Sequence, residues 1–261
     1  MPGTILSTTG GAVATLTFHN PDRHNAMSLA MWRDAAAALQ ALAREDAVRV
    51  VILTGAGGKS FVSGADISKF ESERSSASGV EAYSEATEQL ARTLLDYPKP
   101  TIAMIRGYCI GGGVNIAVCC DLRFCNPQSR FGVPAAKLGL GYGYAHIQRL
   151  HDLIGPQFAL EMILTARQFD ATEALQMGLV NRIVPDAEIE TYVRGAADAI
   201  AANAPLTIRA AKRIVRELLN DAGARDIEAC ESLVKQCFES ADYQEGRAAF
   251  MEKRKPVFKG H

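Results

Sequence analysis

The feature that most constrains this chain is an alternation, through its first half, of short apolar runs with longer helical patterns. Residues 48–53 and 101–106 are apolar runs rich in β-branched side chains, and a glycine closely follows each. Residues 30–45 and 80–96 have helical spacing, and each is long enough to cross over between parallel strands. Shorter elements continue the alternation at residues 12–19, 114–120 and 122–125. The pattern predicts an α/β fold built on a parallel sheet.

The second half of the chain is richer in helices. Predicted helices occupy residues 172–177, 187–202, 206–220, 226–239 and 243–253. Their apolar faces exceed what one core requires, so we expect part of this surface to pack on another subunit. We therefore divide the chain into a core at residues 1–200 and a helical C-terminal region at residues 201–261.

Composition argues against several classes of protein. The 261 residues carry 28 basic and 29 acidic side chains, and this balance leaves no overall positive field to attract nucleic acid. No apolar run approaches the roughly 20 residues that a membrane-spanning helix requires. The first ten residues lack the charged and apolar parts of a signal peptide. The sequence thus predicts a soluble cytoplasmic protein whose partners are neither nucleic acid nor a membrane.

The six cysteines occur at spacings that match no metal site. Cys119 and Cys120 are adjacent within an apolar stretch, and Cys109 and Cys125 flank them. Reduced, buried thiols are therefore predicted, rather than disulfides or a metal centre.

Two segments place backbone amides where a ligand can use them. Residues 60–67 follow one buried strand, and residues 107–115, with three successive glycines, follow another and open a helix. The first amides of a helix have no partner within it and lie at the positive end of its dipole, so they stabilise an anion. A glycine turn of this kind serves tight packing as readily as ligand binding. The glycine spacing of dinucleotide-binding proteins is absent, and no lysine completes a phosphate-binding loop.

These segments resemble two signatures of the enoyl-CoA hydratase/isomerase (crotonase) superfamily. Residues 60–67 are similar to its first oxyanion segment, and residues 106–121 are similar to its second. The resemblance continues, in order, at residues 19–27, 131–134, 174–178, 180–181 and 245–256. It covers nearly the whole chain. It implies a crotonase-like spiral of ββα units with a helical C-terminal trimerisation region, assembled as a homotrimer or a dimer of trimers.

The resemblance also implies an acyl-CoA thioester as the substrate, with no separate cofactor because coenzyme A is part of that substrate. The backbone amides of Ala65 and Gly112 match the pair that holds the thioester oxygen in this family. Two preorganised donors aimed at a developing enolate oxygen are a large catalytic effect, about 10²–10³ in rate for one donor. The further positions that the resemblance assigns to substrate binding are Arg23, His24, Ser63, Asp66, Ile67, Ser68, Gly111 and Lys253.

Two catalytic positions of the family's hydratases carry other residues in this chain. Those hydratases place one glutamate two positions after the glycine triplet and a second directly after the Phe-Gly-x-Pro segment. This chain has Asn115 and Ala135 there. Asparagine can orient a water but takes no proton, and alanine does neither. Because a positioned acid or base contributes roughly 10²–10⁴-fold, two-glutamate hydration is expected to be nearly abolished.

Tyr142 and His146 are the candidates to replace the missing glutamates. A tyrosine in the loop of Tyr142 is similar to that of methylmalonyl-CoA decarboxylases of the superfamily, although Ala65 stands where those enzymes carry histidine. Tyr142 is interpreted either as a catalytic residue or as a ring that fills the space beside Ala135. His146 is interpreted as a structural or surface residue, with a relocated base as the alternative.

The leading hypothesis is an enzyme of decarboxylase or isomerase type that stabilises an acyl-CoA enolate with Ala65 and Gly112. Two-glutamate hydration ranks below it, and a non-catalytic acyl-CoA-binding homologue is the alternative from another class. Residues 70–79 are predicted to form a mobile surface loop or a flexible wall of the site. The acidic residues that could supply a base from this wall are Glu71, Glu73, Glu85 and Glu88.

Overall fold

The computed structural model describes residues 3–69 and 75–261. The strands are β1 (Thr4–Gly10), β2 (Val13–His19), β3 (Val50–Gly55), β4 (Ser60–Val62), β5 (Thr101–Ile105), β6 (Tyr108–Ile110), β7 (Leu122–Cys125), β8 (Arg130–Gly132), β9 (Phe169–Asp170) and β10 (Arg182–Ile183). The α-helices are α1 (Leu29–Arg44), α2 (Ala77–Leu95), α3 (Gly112–Cys119), α4 (Tyr144–Thr165), α5 (Ala171–Gln176), α6 (Ile189–Ala201), α7 (Pro205–Glu217), α8 (Ile227–Glu239) and α9 (Ala241–Met251). Short 3-10 helices lie at Pro21–Arg23, Ile67–Lys69, Pro134–Leu138 and Ala222–Ala224.

The described strands form two sheets. Six of them pair in the order β1-β2-β3-β5-β7-β10, in which β1 and β2 are antiparallel and the other neighbours are parallel. Four shorter strands pair in the order β4-β6-β8-β9, and the first three of these are parallel. The chain therefore repeats a ββα turn three times, as β3-β4-α2, β5-β6-α3 and β7-β8-α4. The predicted α/β fold with its spiral of ββα units is confirmed.

The larger sheet is covered on both faces because side chains alternate along each strand. Val51 and Leu53 of β3 point into the main apolar core, which also contains α1 and α2. Val50 and Ile52 of the same strand point the other way and pack with α6. Burial on both faces explains why this strand reads in the sequence as a continuous apolar run.

The predicted helix at residues 30–45 agrees with α1 to within a residue at each end. Ser28 caps it, since its hydroxyl oxygen accepts a hydrogen bond from the Met31 amide at 3.3 Å. In the same way Ser76 caps α2 through the Gly79 amide. The serine-rich stretch predicted as a loop at residues 70–79 is therefore helical from residue 77 onward, and residues 70–74 lie outside the described residues.

Six strands were not predicted as such, and two of them, β9 and β10, are only two residues long. β1 pairs with β2 as an antiparallel hairpin, although its side chains are largely exposed and give the sequence little apolar pattern. β4, β6 and β8 are three residues long, too short for alternation to be read along the chain. Together with β9 these three strands form the second sheet, and each of the three leads directly into a segment that borders the cavity described below.

The cysteines of the core remain thiols. Cys109, Cys119, Cys120 and Cys125 are buried, whereas Cys230 and Cys237 of α8 are partly exposed. Burial raises the pKa of Cys119 to about 11 and that of Cys120 to about 12, so both are protonated at neutral pH. The predicted burial is confirmed for the four core residues.

Candidate active site

A cavity of about 310 Å³ lies where the segments after β4 and β6 meet α2 and the loop before α4. Trp32, Tyr83 and Ile110 form part of its apolar wall. The residues that the sequence assigned to a site and that line this cavity are Ser63, Ala65, Ile67, Gly111, Gly112, Asn115, Ala135 and Tyr142. Residues from four separate segments of the sequence thus converge on one concave site.

Backbone pairing leaves the amide of Ala65 without an internal acceptor. The Met27 amide donates to the Gly64 carbonyl at 2.8 Å, and the Asp66 amide donates to the Met27 carbonyl at 2.9 Å. These two hydrogen bonds use the Gly64 carbonyl and the Asp66 amide, on either side of Ala65. No described residue accepts a hydrogen bond from the N–H of Ala65 itself. Gly64 turns the chain at this point with a φ of +105°, which a residue with a β-carbon rarely adopts.

The second amide comes from the first residue of α3. Gly112 opens this helix, so its N–H has no carbonyl partner within it and lies at the positive end of the helix dipole. A β-carbon at Gly112 would lie 3.8 Å from the Gly64 α-carbon, which places the two oxyanion segments side by side. Two unused donors at neighbouring positions are what a developing enolate oxygen requires.

Trp32 and Tyr83 hold both segments in place. The indole Nε1 of Trp32 donates to the Tyr83 hydroxyl at 2.6 Å, and that hydroxyl donates to the Met27 carbonyl at 3.2 Å. The same Met27 carbonyl anchors the turn at Ala65. Sequence reasoning missed this support because Trp32 and Tyr83 lie 51 residues apart, on two helices whose patterns carry no sign of contact.

The two positions that carry glutamate in hydratases of the superfamily face the same cavity. Asn115 is 4% exposed and Ala135 is 5% exposed, and both line the wall. No aspartate or glutamate side chain is among the described residues that line it. As far as the described residues go, the cavity therefore combines two candidate oxyanion donors with a wall that offers no carboxylate base.

Glu88 lies behind this wall. Its Oε1 accepts a hydrogen bond from Arg149 Nη2 at 2.5 Å and another from Arg92 Nε at 3.2 Å. Burial acts to raise the pKa of Glu88, but the two guanidinium groups outweigh it and lower the pKa below its ordinary value. Glu88 and Glu85 line a separate outer groove along α2. Neither side chain lines the cavity, so neither is placed to act as the base that the sequence suggested. Glu71 and Glu73 lie outside the described residues.

Arg149 connects Glu88 to the cavity. Its Nη1 donates to the side-chain carbonyl oxygen of Asn115 at 3.4 Å, while Nη2 binds Glu88. The guanidinium is largely buried, with 12% of its side chain exposed. The sequence offered no local signal for this group, because its partners lie 34 and 61 residues away.

Tyr142 and His146 form an aromatic pair at the cavity wall. Their ring centroids are 5.2 Å apart with the planes tilted by 46°. Burial raises the pKa of Tyr142, so its phenol is protonated and acts as a donor at neutral pH. Burial, reinforced by the charge of Arg149, lowers the pKa of His146, so its imidazole is neutral.

The sequence left His146 as a structural or surface residue or as a relocated base, and its half-buried ring at the cavity wall is compatible with the first and the last of these. The ring lines the cavity, and its Nε2 is buried without a hydrogen-bond partner among the described residues. A buried nitrogen without a partner costs free energy unless a ligand or a rearrangement satisfies it.

A polar rim lies beside Ala65. Arg23 Nη1 pairs with the Asp66 carboxylate at 3.3 Å and also contacts the Ser68 hydroxyl, which donates to Asp66 at 2.7 Å. Ser63 donates from its hydroxyl to the Arg23 carbonyl at 3.3 Å. The structure thus brings together four of the predicted substrate-binding residues in one hydrogen-bonded group.

The two remaining predicted contacts are His24, whose backbone carbonyl accepts a hydrogen bond from the Ser63 amide at 3.2 Å beside this rim, and Lys253, which lies apart from it. His24 packs its ring edge-on against Tyr108 at 5.7 Å between centroids. Lys253 follows the exposed end of α9, and within the described chain no hydrogen bond or ion pair joins it to the rim. For Lys253, contact with coenzyme A stays a prediction that depends on a neighbouring subunit.

Among residues 3–69 and 75–261, no three His, Cys, Asp or Glu side chains converge as ligands for a metal ion. No helix in the described part of the chain is both long enough and apolar enough to span a membrane.

Comparison with known proteins places this geometry in a family. The sequence profile of the enoyl-CoA hydratase/isomerase family matches residues 8–261. The chain is 34% identical to the short-chain-enoyl-CoA hydratase of Clostridium acetobutylicum over 94% of its length and 93% of that protein. It is 33% identical to the crotonyl-CoA hydratase of Syntrophomonas wolfei, over 94% of each chain.

A solved structure agrees with the fold. The enoyl-CoA hydratase/carnithine racemase of Magnetospirillum magneticum superposes with a TM-score of 0.94 at 39% identity, covering 99% of this chain and 96% of that one. The profile match, the sequence relatives and this superposition agree along nearly the full length. This chain belongs to the enoyl-CoA hydratase/isomerase family, within the crotonase superfamily.

Proposed function

We propose that this enzyme binds an acyl-CoA thioester in the cavity and forms its enolate with the thioester oxygen held by the amides of Ala65 and Gly112. The observation that carries the proposal is the position of these two unused donors beside a wall whose described residues include no carboxylate. Such a wall suits reactions that need no glutamate base. It makes two-glutamate hydration of an enoyl thioester an unfavourable use of the site.

Decarboxylation of a malonyl-type thioester is the reaction that best suits this wall. The bond between the α-carbon and its carboxylate breaks, and the electron pair moves onto the thioester to form the enolate. Carbon dioxide leaves, so no side chain has to remove a proton. The charge that develops on the thioester oxygen is then stabilised by the two amide donors.

The enolate must afterwards receive a proton on its α-carbon. Tyr142 is suited to this step, because its phenol is protonated, lines the cavity and makes no hydrogen bond to another described residue. Alternatively, the hydroxyl orients the departing carboxylate by donating a hydrogen bond to it. Both roles use a donor that faces the acyl group.

Isomerisation of an enoyl thioester is the second candidate, and His146 favours it. Moving a double bond requires one base that takes a proton from one carbon and returns it to another. A neutral imidazole at the cavity wall, with its Nε2 free of partners among the described residues, has the protonation state of such a base. Substitution of His146 by glutamine separates the two reactions, since it would abolish isomerisation and spare decarboxylation.

A panel of thioesters tests the proposal directly. The protein is incubated with crotonyl-, 3-butenoyl-, malonyl- and methylmalonyl-CoA, and the products are identified by mass spectrometry. Release of carbon dioxide from a malonyl-type substrate is the expected outcome, and conversion of 3-butenoyl- to crotonyl-CoA would favour isomerisation. Tight binding without turnover of any of the four would instead support a non-catalytic acyl-CoA-binding protein.

A further inference from the structure

The amide of Asn115 has a defined orientation. Arg149 Nη1 lies 3.4 Å from its Oδ1 and, as a guanidinium nitrogen, can only donate. The opposite orientation would set two donors against each other, so the carbonyl oxygen of the amide faces Arg149. The Nδ2 group, which makes no hydrogen bond to any described residue, is the end left for the cavity that Asn115 lines.

Arg149 is itself held in place from behind. Its Nη2 binds Glu88 at 2.5 Å, and only 12% of the arginine side chain and 23% of the glutamate side chain are exposed. A buried, charge-assisted contact of this kind restricts the guanidinium far more than an exposed ion pair does. A relay of two contacts therefore runs from α2 through α4 to the amide in α3.

This relay determines which group the side chain at position 115 offers to the acyl group. A glutamate there presents an acceptor to the acyl group, whereas Asn115 presents a donor. A donor in a largely apolar wall favours a substrate group that carries negative charge, because hydrogen bonds to charged groups are stronger than those between neutral groups.

We propose that Asn115 is a specificity residue that donates from Nδ2 to a carboxylate on the α-carbon of the acyl group, and that Arg149, fixed by Glu88, is the positioning residue that keeps this donor turned toward the substrate. The inference rests on the proposed function for the thioester and its place in the cavity. The substrate class it names is an acyl-CoA with a carboxylated acyl group.

The test compares the affinities of a carboxylated and an uncharged ligand. The probes are malonyl and butyryl analogues of coenzyme A in which nitrogen replaces the thioester sulfur, which slows turnover, and binding is measured by calorimetry. Wild-type protein should prefer the malonyl analogue. Asn115→Asp, which has the same shape but presents a carboxylate, should reduce that preference by about 10- to 100-fold. Affinity for the butyryl analogue should stay within about threefold and serves as the check that the cavity is intact.

The relay is tested by Arg149→Gln and Glu88→Gln, which should each lower the preference at least threefold, with Arg149→Lys restoring part of it. Arg92→Gln is the matched control. It removes the other cationic partner of Glu88, and the Arg92 side chain is 73% exposed. Should Asn115→Asp fail to fold, Asn115→Ala removes the donor without adding charge and should still reduce the preference.

Several results would overturn the inference. The first is a wild-type protein that does not prefer the malonyl analogue. The second is a preference in the Asn115 variants that stays within twofold of the wild-type value. The third is an equal loss of preference in Arg92→Gln and Arg149→Gln. Carbon dioxide release from malonyl-CoA is measured separately. Its absence alongside the expected preferences would refute decarboxylation and leave the specificity role standing. Carbon dioxide release together with ligand preferences that the substitutions leave unchanged would support decarboxylation and refute the specificity role of Asn115.

Discussion

The indole ring of Trp32 lies directly beneath Gly112, so that a β-carbon at Gly112 would come within 2.9 Å of two ring carbons. The ring cannot easily move away, because its Nε1 is bonded to the Tyr83 hydroxyl at 2.6 Å. The first residue of α3 must therefore be glycine for a steric reason, in addition to the close approach that a ligand needs. This contact links the stability of the fold to the position of one oxyanion donor.

Gly112→Ala should displace the donor amide by forcing the chain away from Trp32. We expect a loss of about 1–3 kcal/mol in the free energy of unfolding. We also expect at least tenfold weaker binding of an enolate-like coenzyme A analogue, measured by calorimetry. Gly195→Ala in α6 is the control, since a β-carbon there meets nothing within 4 Å and an alanine favours the helix. Unchanged analogue affinity in Gly112→Ala would remove this amide from the site.

Hydration of crotonyl-CoA should be very slow in the wild-type protein, because Asn115 and Ala135 cannot exchange protons. Replacing both by glutamate should raise the rate by at least about 100-fold, since each positioned acid or base contributes roughly 10²–10⁴-fold. The rate is followed by the loss of enoyl-thioester absorbance. Fast hydration by the wild-type protein would show that other groups supply the acid and base.

Tyr142→Phe should lower kcat for decarboxylation of a malonyl-type substrate by about 10- to 100-fold while the substrate affinity stays nearly constant. That combination marks an interaction made mainly in the transition state. Phenylalanine keeps the ring that packs beside His146 and removes only the hydroxyl. Equal kcat in the two proteins would show that Tyr142 fills space and does no chemistry.

The lowered pKa of His146 predicts a dependence of stability on pH. Between the folded-state pKa and the ordinary value of about 6.5, the unfolded chain binds more protons than the folded one. Stability is therefore complete above about pH 6.5 and declines as the pH falls below it, by at most about 1.4 kcal/mol per pH unit for one proton.

His146→Gln should flatten this decline in urea unfolding measured from pH 5 to 8. His151→Gln is the matched control, because the His151 side chain lies on the same helix, is 51% exposed and does not line the cavity. A decline of the same steepness in His146→Gln and the wild type would assign the pH dependence to other groups.

Assembly is predicted from the C-terminal helices. Large apolar side chains are exposed there in the single chain, namely Val215, Leu218, Leu219, Ile227, Phe238, Phe250 and Met251. A closed cyclic oligomer would bury them, so light scattering should give a trimer or a hexamer. Phe250→Glu, at a position 82% exposed in the single chain, should weaken assembly without unfolding the protomer. A stable wild-type monomer at micromolar concentration would contradict the prediction.

The main elements of the fold could be predicted because their signals are local. The helix at Leu29–Arg44 shows an apolar stripe and a serine cap, and β3 is an apolar run followed by glycine. The second sheet could not be predicted in this way, since strands of three residues carry no readable period. Their existence depends on pairing between segments tens of residues apart.

By itself, the sequence determined the α/β class, the two glycine-rich segments and the absence of glutamate at positions 115 and 135, because these depend on residue identity and local spacing. Only the tertiary structure decided that Trp32 supports Gly112, that His146 lines the cavity and that Arg149 donates to the Asn115 side chain. Each of these contacts joins residues on different elements. Packing sets such distances, and no period along the chain encodes them.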